Sequence, residues 1–162
     1  MKKHLFLFFT FLAIFCGCLT GCSKQQSSNN KKVIYTTFFP VTDLTKRIVG
    51  NKMEVKTIIK GNEEPHSFEL KTNDMKDIAK ADLIIYNGAG MENFIPALKD
   101  TVKKKNKFLD LSQGLKLLEA GKGIVKAHDR VNPHTWLSVK IAYEQLDTIY
   151  RKVASMDPNN EA

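Results

Sequence analysis

Two short stretches place a histidine directly after a proline: Glu64-Pro65-His66-Ser67-Phe68-Glu69 and Asn132-Pro133-His134-Thr135-Trp136-Leu137. Proline fixes its own φ and restrains the residue before it, so the backbone approaching each imidazole is stiffened. Imidazole is the commonest protein ligand for zinc and related metals. Two stiffened histidines in equivalent settings therefore suggest one metal site built from two loops, with His66 and His134 as its ligands. They stand 68 positions apart, so no helical or hairpin spacing joins them and only the fold can bring them together. Taken singly, each reads more readily as a solvated turn histidine. Glu63, Glu64 and Glu69 surround His66, either as outer partners orienting its second nitrogen or as solvated turn charges. His128, beside Asp129 and close to Gly121 and Gly123, is a candidate accessory metal residue or simply a polar loop residue. Trp136 is placed to pack a helix base, a position from which it would also shield the His134 ring from water.

The elements that must position these histidines alternate between strand and helix. Val33 to Phe39 is rich in β-branched and aromatic residues and predicts a buried strand ended by Pro40. Val41, Leu44, Ile48 and Val49 then recur at helical spacing, with Gly50 as a stop. Val55 to Ile59 predicts a second strand, closed by Gly61. Thr72 or Asn73 is the expected cap of the next helix, with Met75, Ile78 and Ala79 on its inner face. Leu83 to Tyr86 predicts a third strand, followed by the turn Asn87-Gly88-Ala89-Gly90. The apolar pattern from Met91 to Val102 is helical but contains Pro96, so that helix either starts late or is kinked. Phe108 to Leu111 is the fourth strand and Leu115 to Leu118 a candidate fifth piece. Trp136 to Val153 marks a helix of about five turns, stopped by Asp157-Pro158. This alternation predicts an α/β fold, a parallel sheet covered by helices on both faces through right-handed crossovers. Ligands of such sheets gather outside the carboxyl ends of the strands, the edge to which both His66 and His134 belong.

The 162 residues leave room for one domain of ordinary size, and the 43% hydrophobic content includes a segment outside the core. Residues 1–21 carry Lys2 and Lys3, then an apolar run from Leu5 to Cys18, the layout of a secretory signal. The run is short for a membrane span. Removing the leader lowers the formal charge from +8 to +6. Leu19-Thr20-Gly21-Cys22 resembles a bacterial lipobox, with Cys22 as the lipid-attachment residue. The other cysteines, Cys16 and Cys18, leave with the leader, so the mature chain has no internal disulfide to form. Residues 22–32 are polar and aperiodic, the composition of a flexible tether. The run Lys103-Lys104-Lys105 with Lys107 reads as the solvated end of a helix and the turn after it. It lacks the interleaved aromatics of a nucleic-acid surface, and attraction to anionic lipids or surface polymers would be nonspecific.

The ordered set of lipobox, Thr37-Phe38-Phe39-Pro40, Glu64 to Glu69, Ala81-Asp82-Leu83-Ile84, Asn87 to Glu92 and Asn132 to Leu137 resembles the zinc/manganese-binding lipoproteins of bacterial metal ABC importers, the ZnuA/TroA-like family. The resemblance covers essentially the whole mature chain. It implies two α/β lobes joined by a long helix with a metal in the cleft between them, and it places His66 and His134 on the two ligands of the N-terminal lobe. It further implies residues 33–156 as that metal-binding lobe and residues 157–162 as the start of the linker helix, with the second lobe and its further ligands not encoded here. The expected function is capture of Zn2+, with Mn2+ as the alternative, and delivery to a membrane permease of an ABC importer. The chain would be exported and lipid-anchored to the outer face of the bacterial cell membrane. A surface adhesin lipoprotein is the alternative. Asn132 stands where the family commonly has aspartate, and Ser138 where an acidic residue is frequent. No His-Glu-x-x-His, His-x-x-Glu-His or nucleophile-elbow pattern is present, which argues against an enzyme and against metal-dependent hydrolysis.

Overall fold

The computed structural model describes residues 31–119 and 131–160. Cys22 and His128 lie outside the described residues. Four short strands, β1 (Val33–Thr36), β2 (Glu54–Thr57), β3 (Leu83–Tyr86) and β4 (Phe108–Asp110), form one parallel sheet in the order β2-β1-β3-β4. Four helices accompany them: α1 (Phe39–Val49), α2 (Thr72–Ile78), α3 (Ile95–Val102) and α4 (Val139–Met156). The chain steps one way from β1 to β2 and the other way from β2 to β3 and on to β4. Right-handed crossovers therefore put α1 on one face and α2 and α3 on the other. α4 returns to the first face and packs beside α1. The α/β sheet covered on both faces is thus the architecture expected.

Because helices cover both faces, the inner strand β3 needs apolar residues at every position rather than at alternate ones. Leu83, Ile84 and Ile85 are fully buried and Tyr86 nearly so. Ile34 from β1, Leu98 from α3 and Ile149 from α4 complete the centre of the core.

Several boundaries differ from the expected ones for identifiable reasons. The first strand stops at Thr36, and Phe39 and Pro40 already belong to the first turn of α1, where proline's missing N–H costs nothing. Phe39 is consequently 74% exposed rather than in a strand. α3 starts late, with Pro96 in its first turn, so there is no kink. In α2 the cap position falls to Lys71 without a side-chain hydrogen bond, and Thr72 is the first helical residue. Leu115 to Leu118 is not a strand: Leu118 is exposed, and only an isolated antiparallel bridge joins Glu119 to Val131. Trp136 sits in a 3-10 turn, Thr135–Leu137, and Ser138 caps α4 by accepting the Ile141 N–H at 3.5 Å. No helix among the described residues is long and apolar enough to cross a membrane.

Ile85 lies in the innermost layer, and truncating such a side chain loses its transfer energy and leaves a cavity. Ile85→Ala should lower unfolding stability by about 2–5 kcal/mol, read as a shift of the urea midpoint with little change in slope.

Candidate metal centre

His66 lies in the connection after β2, and His134 immediately precedes the 3-10 turn that leads into α4. Their Nε2 atoms approach to 3.4 Å and their rings stand edge to face with centroids 5.3 Å apart. Both side chains are exposed.

Each histidine is held by the residue two positions before it. Asn132 Oδ1 accepts the His134 backbone N–H at 3.0 Å and lies 2.9 Å from His134 Nδ1. A backbone N–H can meet only the amide oxygen, so the orientation of the Asn132 amide is fixed. The same oxygen then requires a proton on Nδ1, which leaves the Nε2 lone pair of His134 pointing at His66. Glu64 Oε1 accepts the His66 backbone N–H at 3.2 Å, the equivalent local turn. Proline between the two residues stiffens both turns.

Further hydrogen bonds join the loops. The Asn93 amide donates to the His66 carbonyl. The fully buried Asn87 donates to the Pro133 carbonyl at 2.8 Å and accepts from the Thr135 hydroxyl at 2.7 Å. Thr135 in turn accepts from Gln145 of α4 at 2.8 Å. Beneath these loops Glu92, only 5% exposed, accepts from the Thr37 hydroxyl at 2.6 Å and from the N–H groups of Asn87 and Gly88 at 2.8 and 3.1 Å. Burial pushes its carboxyl above the ordinary range, and these three donors only partly offset that. Gly88, at φ 77°, could carry no Cβ without colliding with Asp110 and Ser112.

Trp136 packs edge to face between two rings, with centroids 5.0 Å from Phe38 and 5.4 Å from His134. It both packs the start of the helix and covers one side of the imidazole. The glutamates around His66 behave otherwise than as outer partners of its ring. Glu64 and Glu63 take backbone N–H groups, the latter that of Lys60 at 3.0 Å, and no hydrogen bond among the described residues joins Glu69 to the imidazole. Asn132, noted in the sequence only as a departure from the usual aspartate, is the residue that sets His134.

Two nitrogen ligands at a zinc–nitrogen distance of 2.0–2.1 Å and a tetrahedral angle lie about 3.3–3.4 Å apart, whereas a right angle would bring them to about 2.9 Å. The observed 3.4 Å matches the tetrahedral bite. Among the described residues no group of three or more His, Cys, Asp or Glu is arranged to hold a metal ion, so the two imidazoles form a pair rather than a complete shell. A neighbouring cavity of about 200 Å³, lined by Leu117, Leu118, Leu137 and Ile141 beside His134, is largely apolar and supplies no further ligand.

Residues 34–162 match the family described as ZnuA, zinc-uptake complex component A, periplasmic. The chain belongs to this family. It is 30% identical over 158 residues to the high-affinity zinc uptake system protein ZnuA of Bacillus subtilis, covering 90% of this chain and 49% of that protein. It is 32% identical over 172 residues to the manganese ABC transporter substrate-binding lipoprotein scaA of Streptococcus gordonii, covering 100% and 54%. The crystal structure of the Zn(II)-bound ZnuA-like domain of Streptococcus pneumoniae AdcA superposes with a TM-score of 0.69 at 30% identity, over 81% of this chain and 46% of that one. The chain thus spans about half the length of these ZnuA-family relatives, and its sheet and helices match one lobe of the ZnuA-like fold.

Two outcomes follow from this geometry. In metal-free protein His134 should carry its proton on Nδ1, as read by two-bond 15N correlation spectroscopy. Asn132→Ala should shift it toward the Nε2 tautomer, while Asn132→Asp should retain it. For Glu92, a folded-state carboxyl raised above its unfolded value means that the folded protein binds the proton more readily. Its contribution to stability therefore grows as pH falls toward the ordinary carboxylate range and is lost as pH rises again. Urea midpoints over that fall in pH should show this gain in the wild type and lack it in Glu92→Gln.

Proposed function

We propose that this chain captures a divalent metal outside the cytoplasmic membrane, zinc in preference to manganese, for delivery to an ABC permease. His66 and His134 are the protein ligands it contributes, and Cys22 is the point of lipid attachment. The observation that carries the reading is the convergence of two Nε2 atoms at the tetrahedral separation, one with its lone pair already presented by Asn132. Relatives named for zinc uptake and for manganese transport support the class of metal. The tetrahedral spacing favours zinc, since manganese accepts higher coordination and more carboxylates. Capture of this kind leaves the metal chemically unchanged. The protein supplies neutral imidazoles, so acidification weakens binding by protonating them.

Two imidazoles fill half of a tetrahedral shell. The other positions go to solvent or to ligands outside the described residues, and binding by this chain alone is weak and open to exchange. Isothermal titration of the chain from residue 23 onward should show weak zinc binding that falls by more than about tenfold in His66→Ala and in His134→Ala alike. Binding indifferent to both substitutions would remove the proposed site, and tight one-to-one binding in the wild type would contradict the half-filled shell.

A further inference from the structure

The parallel sheet sorts the connections of the chain onto two edges. Every strand starts on the edge opposite His66 and His134. The segments that reach the strand starts are residues 31–32, 50–53, 79–82 and 103–107. Together they carry eight lysines and one carboxylate, Asp82, whose Oδ2 is occupied by the Val33 backbone N–H at 2.8 Å. The described connections leaving the strand ends, on the histidine edge, have the opposite balance, with five glutamates and three lysines.

Two of the eight lysines are engaged inside the fold. Lys80 pairs with Asp77 at 2.7 Å, and the Lys107 ammonium donates to the Ala79 and Ala81 carbonyls at 3.2 and 2.6 Å. The other six, Lys31, Lys32, Lys52, Lys103, Lys104 and Lys105, are exposed. None of them takes part in the ion pairs found among the described residues. Of the carboxylates adjoining this edge, Glu54 is paired with Lys56 and Asp77 with Lys80, while Asp157 Oδ2 accepts from Asn160 and Asp100 is exposed. Six exposed lysines outside those ion pairs thus stand against three carboxylates that form none among the described residues, Asp82, Asp100 and Asp157, and the edge is a cationic face.

The described body also begins at this edge, at Lys31, nine residues after Cys22. Nine residues span at most about 30 Å. A lipid on Cys22 would hold the edge close to headgroups, where attraction between lysines and anionic lipids is felt within a Debye length of about 8–10 Å. We propose that the lysine edge is a docking face for anionic phospholipid headgroups of the membrane to which the chain is tethered. This rests on the lipid-anchored reading above. Docking by this edge turns His66 and His134 away from the bilayer.

The test uses the chain from residue 23 onward, which contains the whole compact unit Lys31–Ala162 and carries no lipid. Its sedimentation is measured with vesicles containing phosphatidylglycerol and with vesicles of phosphatidylcholine alone. Binding should appear only with the anionic lipid, weaken as salt is added, and fall more than about tenfold in K103E/K104E/K105E. The same charge change on the opposite edge, K60E/K71E/K116E, should alter it far less. Equal loss in both triple variants, or no preference for the anionic vesicles, would overturn the proposal. So would retention on soluble polyphosphate that anionic vesicles fail to displace. Zinc titration of K103E/K104E/K105E should match the wild type, so failure of the metal site and failure of the lysine face are separate results. Mass spectrometry of the exported chain reads acylation of Cys22 independently of both.

Discussion

The Asn87 side chain is shut away from water, and both its donors and its oxygen are spent on neighbours: the Gly88 and Pro133 carbonyls and the Thr135 hydroxyl. A buried polar group left without partners costs about 1–3 kcal/mol, so these bonds are strongly favoured over any arrangement that breaks them. Asn87 stands at the end of β3, the most deeply buried strand, and Pro133 precedes His134. The amide therefore transmits the position of the sheet directly to the histidine. Glu92 does the equivalent work for the turn itself, gathering the Asn87 and Gly88 N–H groups and the Thr37 hydroxyl at the end of β1. An irregular loop is thereby registered against two strand ends, as a geometry set to tenths of an ångström requires.

The arrangement also explains how two exposed imidazoles can be well placed. Their own side chains contribute little burial, so their order must come from the backbone behind them. Both turns use the same device: an oxygen-bearing residue, a proline, then the histidine whose N–H closes the turn. The difference lies in what the leading residue reaches. Asparagine is short enough for its oxygen to meet the ring nitrogen as well as the backbone, while Glu64 meets the backbone alone. The pair is accordingly asymmetric, with His134 fixed in tautomer as well as position.

Much of this was legible in the chain before folding. The alternation of apolar strands and amphipathic helices specified a parallel sheet, and a parallel sheet places both Pro-His turns near its carboxyl edge. The tetrahedral spacing was not legible, because it depends on side chains 68 positions apart. Nor was the role of Asn132, although a short oxygen-bearing residue two positions before a histidine is a recognisable turn signal. The glutamates around His66 could be read either way from the sequence, because proximity along the chain says nothing about which N–H a carboxylate will take. Leu115 to Leu118 misled because an apolar run forms a strand only where an edge is offered to it. The basic edge showed in the sequence only as the run Lys103 to Lys107, for a topological reason: its lysines come from four separate segments, and only the common polarity of the strands gathers them.

Trp136 is the only tryptophan in the chain and stands edge to face with the His134 ring, while Phe38 holds its other side. Indole emission responds to the polarity and quenching groups in its immediate surroundings, and a protonated or metal-bound imidazole differs in both respects from a neutral one. The chain therefore carries a built-in optical reporter a few ångströms from the histidine pair, with no second indole to dilute its signal. Events at His134 can be followed in the unmodified protein, in real time and without a label.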